Sequence, residues 1–317
     1  RLYFSYDGEN WNNNHDESLL THNMTEFIAP SFSNSLAFFR LTAIDNAPFP
    51  NESEPSDIFV FRKDQQEKSL IFIDAYNIQE TPSPHPYLQN AGLLSINLNI
   101  GIQSFHQSFF SLDTSMTLSN NDIPIVFTGH LYQSIDSILI SSLYNQSFWI
   151  TGARSLEAFN QTVPGQQFLD SLGFSYGWVD DSLETVVGIG NPFTNEIYSI
   201  QNDNINLDSV NSFNWLLDDY NFFPNLAVNA NTVGVSSQTN LYLWTTIPLE
   251  LISPESKSDY YTRPISFLLG DEVNISNDVN LIPKSLSISF YPNPFNAEGV
   301  IEINGQSSSY SVHIYNM

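Results

Sequence analysis

The chain has no cysteine in its 317 residues, so it has no disulfide, thiolate metal ligand or cysteine nucleophile. Basic residues are scarce. Against 34 Asp+Glu stand 9 Lys+Arg, a formal net charge of -25. That deficit excludes the basic footprint that phosphate binding needs, and with it nucleic acid as a partner. It also argues against docking on an anionic membrane surface. No apolar run reaches the roughly 18 residues of a transmembrane segment. Hydrophobicity itself is not lacking. Hydrophobic residues make up 41% and aromatics 14%, with 24 Phe and 15 Tyr, so the chain is too aromatic to be disordered. At roughly 100–200 residues per domain, its length predicts two or three domains.

An initial methionine and a signal peptide are also missing. The chain opens at Arg1 with Leu2–Tyr6 alternating like a strand, and closes at Tyr315-Asn316-Met317 after the alternating run Tyr310–Tyr315. Chains rarely begin and end inside strands. The sequence is therefore expected to be a piece of a longer protein, and the missing leader carries no information about export.

Residues 1–63 read as all-β. Leu2–Tyr6 runs into the turn dipeptide Asp7-Gly8, then Glu9-Asn10-Trp11. After a polar loop come a short strand at Phe27-Ile28, a clear strand over Phe38–Asp45, a loop marked by Pro48, Pro50 and Pro55, and a strand over Ile58–Phe61. Tyr6–Trp11 and Phe39–Asp45 resemble the motifs in the second half of a fibronectin type III module. The resemblance implies a partial sandwich lacking its first strands.

Residues 69–252 change period. Ser69–Asp74, Ile123–Gly129 and Phe148–Gly152 are short continuous apolar runs, as in strands buried on both faces of a parallel sheet. Ile135, Ile138, Leu139 and Leu143 have helical spacing, and Gln166–Leu172 reads as a helix closed by Gly173. Thr232–Val235 and Leu241–Trp244 read as further strands, and residues 85–120 and 190–230 as loops or short strands. Alternating strands and helices predict an α/β layer with helices on both faces. Ile73–Tyr76, Trp149–Gly152, Phe168–Tyr176 and Ile247–Glu250 resemble, in order, the motifs of the degenerate amidotransferase-like, flavodoxin-like domain found in large secreted bacterial proteins. Residues 253–283 read as a connecting strand and linker.

Residues 284–317 hold the sharpest motif, Tyr291-Pro292-Asn293-Pro294-Phe295-Asn296. Its prolines fix two φ angles and remove two backbone donors. The strands Val300–Ile303 and Ser311–Tyr315 follow. This run resembles the C-terminal sorting domain of type IX secretion substrates. The resemblance implies the start of a small Ig-like β-sandwich, the type IX secretion machinery as partner, and attachment to a cell-surface glycan or lipopolysaccharide. The family continues past Ile-Tyr-Asn with further strands, so a sorting domain ending at Met317 is expected to be truncated. A cysteine-free, acidic chain suits such an exported protein.

The expected fold is thus multidomain: a central flavodoxin-like parallel sheet, flanked by a partial fibronectin type III sandwich and the start of an Ig-like sandwich. In such a sheet ligands sit outside the carboxyl ends of the strands, where Asp74, His130, Arg154, Ser155 and Glu250 would lie. Asp74, His130 and Ser155 form a hydrolase-like set. Against it, Gly152-Ala153-Arg154-Ser155-Leu156 is not a Gly-x-Ser-x-Gly elbow. The amidotransferases that the segment resembles need a cysteine at that turn and a His-Pro-Glu where Pro248-Leu249-Glu250 stands. Asp74 and Glu250 then act as turn or helix caps, with Arg154 neutralising one of them. The six His are scattered and give no metal motif. The loop acids Asp180-Asp181, Asp203, Asp208, Asp218-Asp219 and Asp271-Glu272 leave a calcium site open without matching an EF-hand. Asn23, Asn51, Asn145, Asn160 and Asn274 stand in Asn-x-Ser/Thr triplets, as chance provides in an Asn-rich chain. No cofactor is expected. The resulting expectation is a non-catalytic accessory and sorting region of a large secreted or surface protein. The alternatives are a hydrolase using Ser155, His130 and Asp74, or a carbohydrate or surface adhesion module built on the aromatics.

Overall fold

A computed structural model describes residues 1–8, 10–12, 36–45, 48, 50–53, 55, 58–62, 69–75, 100–112, 118–129, 134–144, 146–179, 185–200, 207–212, 222–228, 231–237, 241–270, 287–291 and 300–304. The readings at Phe27-Ile28, His130, Pro292–Asn296 and Ser311–Tyr315 lie outside them. The chain divides into two compact units, Arg1–Val273 and Asn274–Met317.

The first unit opens with β1 (Leu2–Ser5), β2 (Leu36–Leu41) and β3 (Phe59–Arg62), paired as an antiparallel meander. The apolar runs expected as buried strands follow: β4 (Ser69–Asp74), then β5 (Gly101–His106) and a short α1 (Ser108–Leu112), then β6 (Asp122–Gly129). Helix α2 (Ser137–Leu143) starts where the Asp136 carboxylate accepts the backbone N–H groups of Ile138 and Leu139. After β7 (Phe148–Gly152) come α3 (Ser155–Asn160) and α4 (Val163–Leu172). Helix α4 begins three residues before the predicted Gln166. Pro164 and Gly165 look like breakers, yet proline costs no donor in a first turn and Thr162 caps the Gly165 N–H at 3.2 Å. It ends as predicted at Gly173, whose φ of 69° is left-handed.

Six further strands follow: β8 (Ser175–Val179), β9 (Thr185–Gly188), β10 (Ile197–Ser199), β11 (Leu207–Ser212), β12 (Phe222–Val228) and β13 (Asn231–Ser237). Then come β14 (Tyr242–Thr245), a 3₁₀ turn at Leu249–Leu251, and α5 (Pro254–Leu269). Helix α5 occupies most of the stretch expected as a connecting strand and linker.

These strands form one twelve-stranded mixed sheet, β1-β2-β3-β5-β4-β6-β7-β14-β13-β12-β9-β10. The middle five, β5 to β14, are parallel, and both wings are antiparallel. Strands β8 and β11 pair separately. This overturns the expected architecture. There is no fibronectin-type sandwich beside a separate flavodoxin-like sheet among the described residues. The physical reason lies at β3. It pairs antiparallel with β5, Phe61 opposite Gln103, while the Val60 N–H donates to Ser104 Oγ at 2.7 Å. Leu36, Phe38, Ile58 and Val60 enter the same core as Leu70 and Phe72, so the first strands form a wing of the large sheet and share its core.

Alternation along the central strands builds two cores. Phe72, Phe127, Trp149 and Leu243 face Tyr260, Tyr261, Ile265 and Leu268 of α5. Ile73, Val126, Ile150 and Trp244 face Leu139 of α2, Phe159 of α3 and Phe168 of α4. Each fully buried side chain of this size contributes about 1.5–3 kcal/mol. At one border of the sheet the Phe4 N–H donates to Asn12 O at 3.0 Å, and the Asn12 N–H returns to Phe4 O at 2.9 Å. At the other, the Ser253 N–H donates to Ser199 O at 2.9 Å.

In the second unit, β15 (Ser287–Tyr291) and β16 (Val300–Asn304) pair antiparallel, with Tyr291 opposite Val300. No described helix is long and apolar enough to cross a membrane.

Candidate functional site

The parallel strands β4, β5, β6 and β7 end together, at the position where open α/β sheets take ligands. Asp74 is the last residue of β4. It lies in register with His106 at the end of β5 and with Phe127 of β6. Phe127 belongs to the α5-side core, which places Asp74 and His106 on that face. Their backbones are fixed, since the Gln107 N–H donates to Asp74 O and the Ala75 N–H to Phe127 O, both at 2.8 Å. Ser108 holds the imidazole. Its N–H donates to His106 Nδ1 at 3.2 Å, with its Oγ 2.8 Å away. The other ring nitrogen, Nε2, is closed to solvent and has no hydrogen-bond partner. Gln107, on the opposite face, accepts from the Asp136 N–H at 2.9 Å and ties β5 to the start of α2.

Ser155 opens α3, two residues beyond the pair Gly152-Ala153. It is 0% exposed, and its Oγ accepts the Trp244 indole N–H at 2.8 Å. Trp244 lies in the core under α2–α4, on the other face of the sheet from Asp74. The structure therefore separates Asp74 from Ser155 by the sheet itself. Arg154 stands at the N-cap of α3 and donates through Nε to Glu157 Oε2 at 2.5 Å, so its charge is met within its own helix. Glu250 lies in the 3₁₀ turn, its side chain outside the description. What the strand ends of β6 and β7 build is a close backbone contact. The Ala153 N–H donates to Gly129 O at 2.7 Å. Gly152 has φ 149°, and a Cβ there would press on Thr128 Oγ1 and lie 2.8 Å from the Gly129 backbone. Behind it, Trp149 Nε1 donates to Thr245 Oγ1, Thr245 to Thr151 Oγ1, and Thr151 to Ile247 O, at 3.0, 3.0 and 2.8 Å. Apart from Asp74, this part of the arrangement is packing and backbone satisfaction. No group of three or more metal-ligating side chains occurs among the described residues.

Sequence reasoning missed His106 and Gln107, because polar Gln103, Ser104 and His106 break the apolar run of β5. It also missed a polar cluster on β1 and β2. Glu52 accepts from the Tyr3 and Thr42 hydroxyls, each at 2.5 Å, and pairs with Arg1. The Thr42 and Tyr3 hydrogen bonds, and then Arg1, hold its carboxyl at about 2. Next to it, the Arg40 guanidinium lies 4.3 Å from the centroid of the Trp11 ring and 5.3 Å from that of Tyr3. Of the tryptophans, Trp149 and Trp244 are fully buried and Trp11 is half-buried. The Trp178 side chain and Trp215 lie outside the description.

No protein-family model matches the chain, and no curated protein matches it. Among solved structures, the chain is similar to a candidate GMP synthase subunit from Thermoplasma acidophilum, at a TM-score of 0.38 and 13% identity over 64% of this chain and 94% of that one.

Proposed function

We propose that the chain is a non-catalytic accessory and sorting region of a large secreted or cell-surface bacterial protein, exported by the type IX secretion system. The observation that carries this reading is the place of the Tyr291–Asn296 motif. It starts at the last residue of β15 and precedes β16, inside a unit distinct from the twelve-stranded sheet. A receptor-read signal needs such independence from its cargo. The burial of Ser155 against Trp244, on the opposite face from Asp74, supports the non-catalytic part. The amidotransferase-like likeness of residues 69–252 then describes a scaffold.

The test is delivery of a reporter. Fused to residues 284–317 extended by the remaining strands of a sorting module, it should reach the surface of a type IX-competent strain. It should stay periplasmic in a strain lacking that machinery. With Pro292, Pro294 and Phe295 replaced by alanine it should stay periplasmic in both. Surface delivery with the altered motif overturns the reading.

A further inference from the structure

In a chain with 34 Asp+Glu and 9 Lys+Arg, a cation has acids to choose from. Arg1 meets Glu52, Arg154 meets Glu157, Arg263 meets Asp259, and Arg62 donates to the Ile100 carbonyl. Arg40 meets neither a carboxylate nor a carbonyl among the described residues. Its neighbours are the Trp11 and Tyr3 rings. The backbone imposes this arrangement. Tyr3 and Arg40 are register partners of β1 and β2, so both rise on one face, and the bridge from Phe4 to Asn12 brings Trp11 beside them. Nε of Arg40 is closed to solvent without a partner. The donors left to a ligand are the two Nη groups.

We propose that this stacked guanidinium is a binding site for a small carboxylate ligand. The rings hold the guanidinium plane in place, so little rotamer entropy is lost when the fork is engaged. A carboxylate matches two parallel N–H donors in one plane, and such charge-assisted pairs are the strong ones. Trp11 and Tyr3 offer apolar surface to the ligand's carbon skeleton. The chain's net charge of -25 selects a monoanion over phosphate, since repulsion grows with ligand charge. Screening over about 8 Å at physiological salt limits that repulsion to nearby groups. Glu52, which accepts from the Tyr3 hydroxyl, is already paired with Arg1. The carboxylate site and the sorting signal are separate features, and either can fail alone.

The test is titration of the full chain, labelled with ¹⁵N, with sodium acetate and with sodium glucuronate. The controls are sodium chloride at equal ionic strength, and acetamide. The Arg40 Nε–H and the Trp11 indole N–H should shift saturably with at least one carboxylate and with neither control. Arg40→Gln should abolish the shift of the indole. Arg40→Lys keeps the charge and loses the fork, and should weaken binding about tenfold or more. If Arg40→Gln does not fold, the Arg40→Lys comparison decides. An equal response to chloride, no saturable response to either carboxylate, or undiminished affinity in Arg40→Lys overturns the proposal. Tighter binding of inorganic phosphate overturns the ligand class.

Discussion

Ser155 and Trp244 meet across the seam between α3 and β14, and the partnership sets the consequence of losing either. In Ser155→Ala the indole N–H remains buried without an acceptor, which costs about 1–3 kcal/mol. Trp244→Phe removes the donor along with part of the ring packing. A double-mutant cycle on urea denaturation should show the two losses to be non-additive by about 1 kcal/mol. Strict additivity would mean that the bond contributes nothing. Glu52 gives a pH-dependent counterpart. Its carboxyl is held at about 2 against an ordinary 4.5, so between those values the unfolded chain binds the extra proton. The stabilisation is therefore complete above about 4.5 and is lost as pH falls through about 2. Denaturation midpoints of the wild type and Glu52→Gln should converge over that window. A gap that stays constant down to pH 2 would assign the effect to packing.

At the scale of elements, legibility follows the local signal. Strands β4 and β7 match their apolar runs residue for residue, because a strand buried on both faces must be apolar throughout. Strand β5 has no such run and lies in a stretch that reads as loops or short strands. Helix α5 escapes the sequence for a different reason. Pro254 and Pro264 suggest a linker, yet Pro254 sits in the first turn. Tyr260, Tyr261, Ile265 and Leu268 recur at helical spacing, and Gly270 closes the helix at φ 76°. That helix is tied to the sheet border through Arg263. It reaches Glu196 beside β10 at 2.5 Å and Asp259 at 2.7 Å, and Asp259 accepts the Tyr198 hydroxyl of β10 at 2.9 Å. Burial, and then the Asp259 charge, push the Tyr198 hydroxyl's pKa up, so it stays a donor. Because the Asp259 and Glu196 side chains are about a third exposed, Asp259→Ala should cost only about 1 kcal/mol. Hydrogen exchange should localise the loss, with α5 and β10 amides exchanging faster and those of β4 and β6 unchanged. Uniform acceleration would refute the tie.

For the molecule as a whole, strand positions are legible where strand partners are not. Phe38 and Val60 alternate as any half-buried strand does, and nothing local distinguishes a sandwich of their own from a border of a larger sheet. Pairing of β3 with β5 joins residues some forty positions apart, which no window of sequence reports. The candidate site follows the same rule. Asp74 ends β4 and Ser155 opens the helix that follows β7, while the face each occupies depends on the assembled layers. The first strands therefore have no core of their own. Residues 1–63 expressed alone should give poorly dispersed amide spectra and no cooperative melt. A well-dispersed, cooperative fold would show that they form a domain after all.

The two borders of the sheet carry a last consequence. A sheet can recruit another chain only where a strand still offers backbone groups in sequence. Here the chain covers one point on each border of the twelve-stranded sheet itself, with Asn12 on Phe4 at one end and Ser253 on Ser199 at the other. At those two points a neighbouring copy finds the backbone groups already taken, so a strand added in register there would leave its own partners unmet.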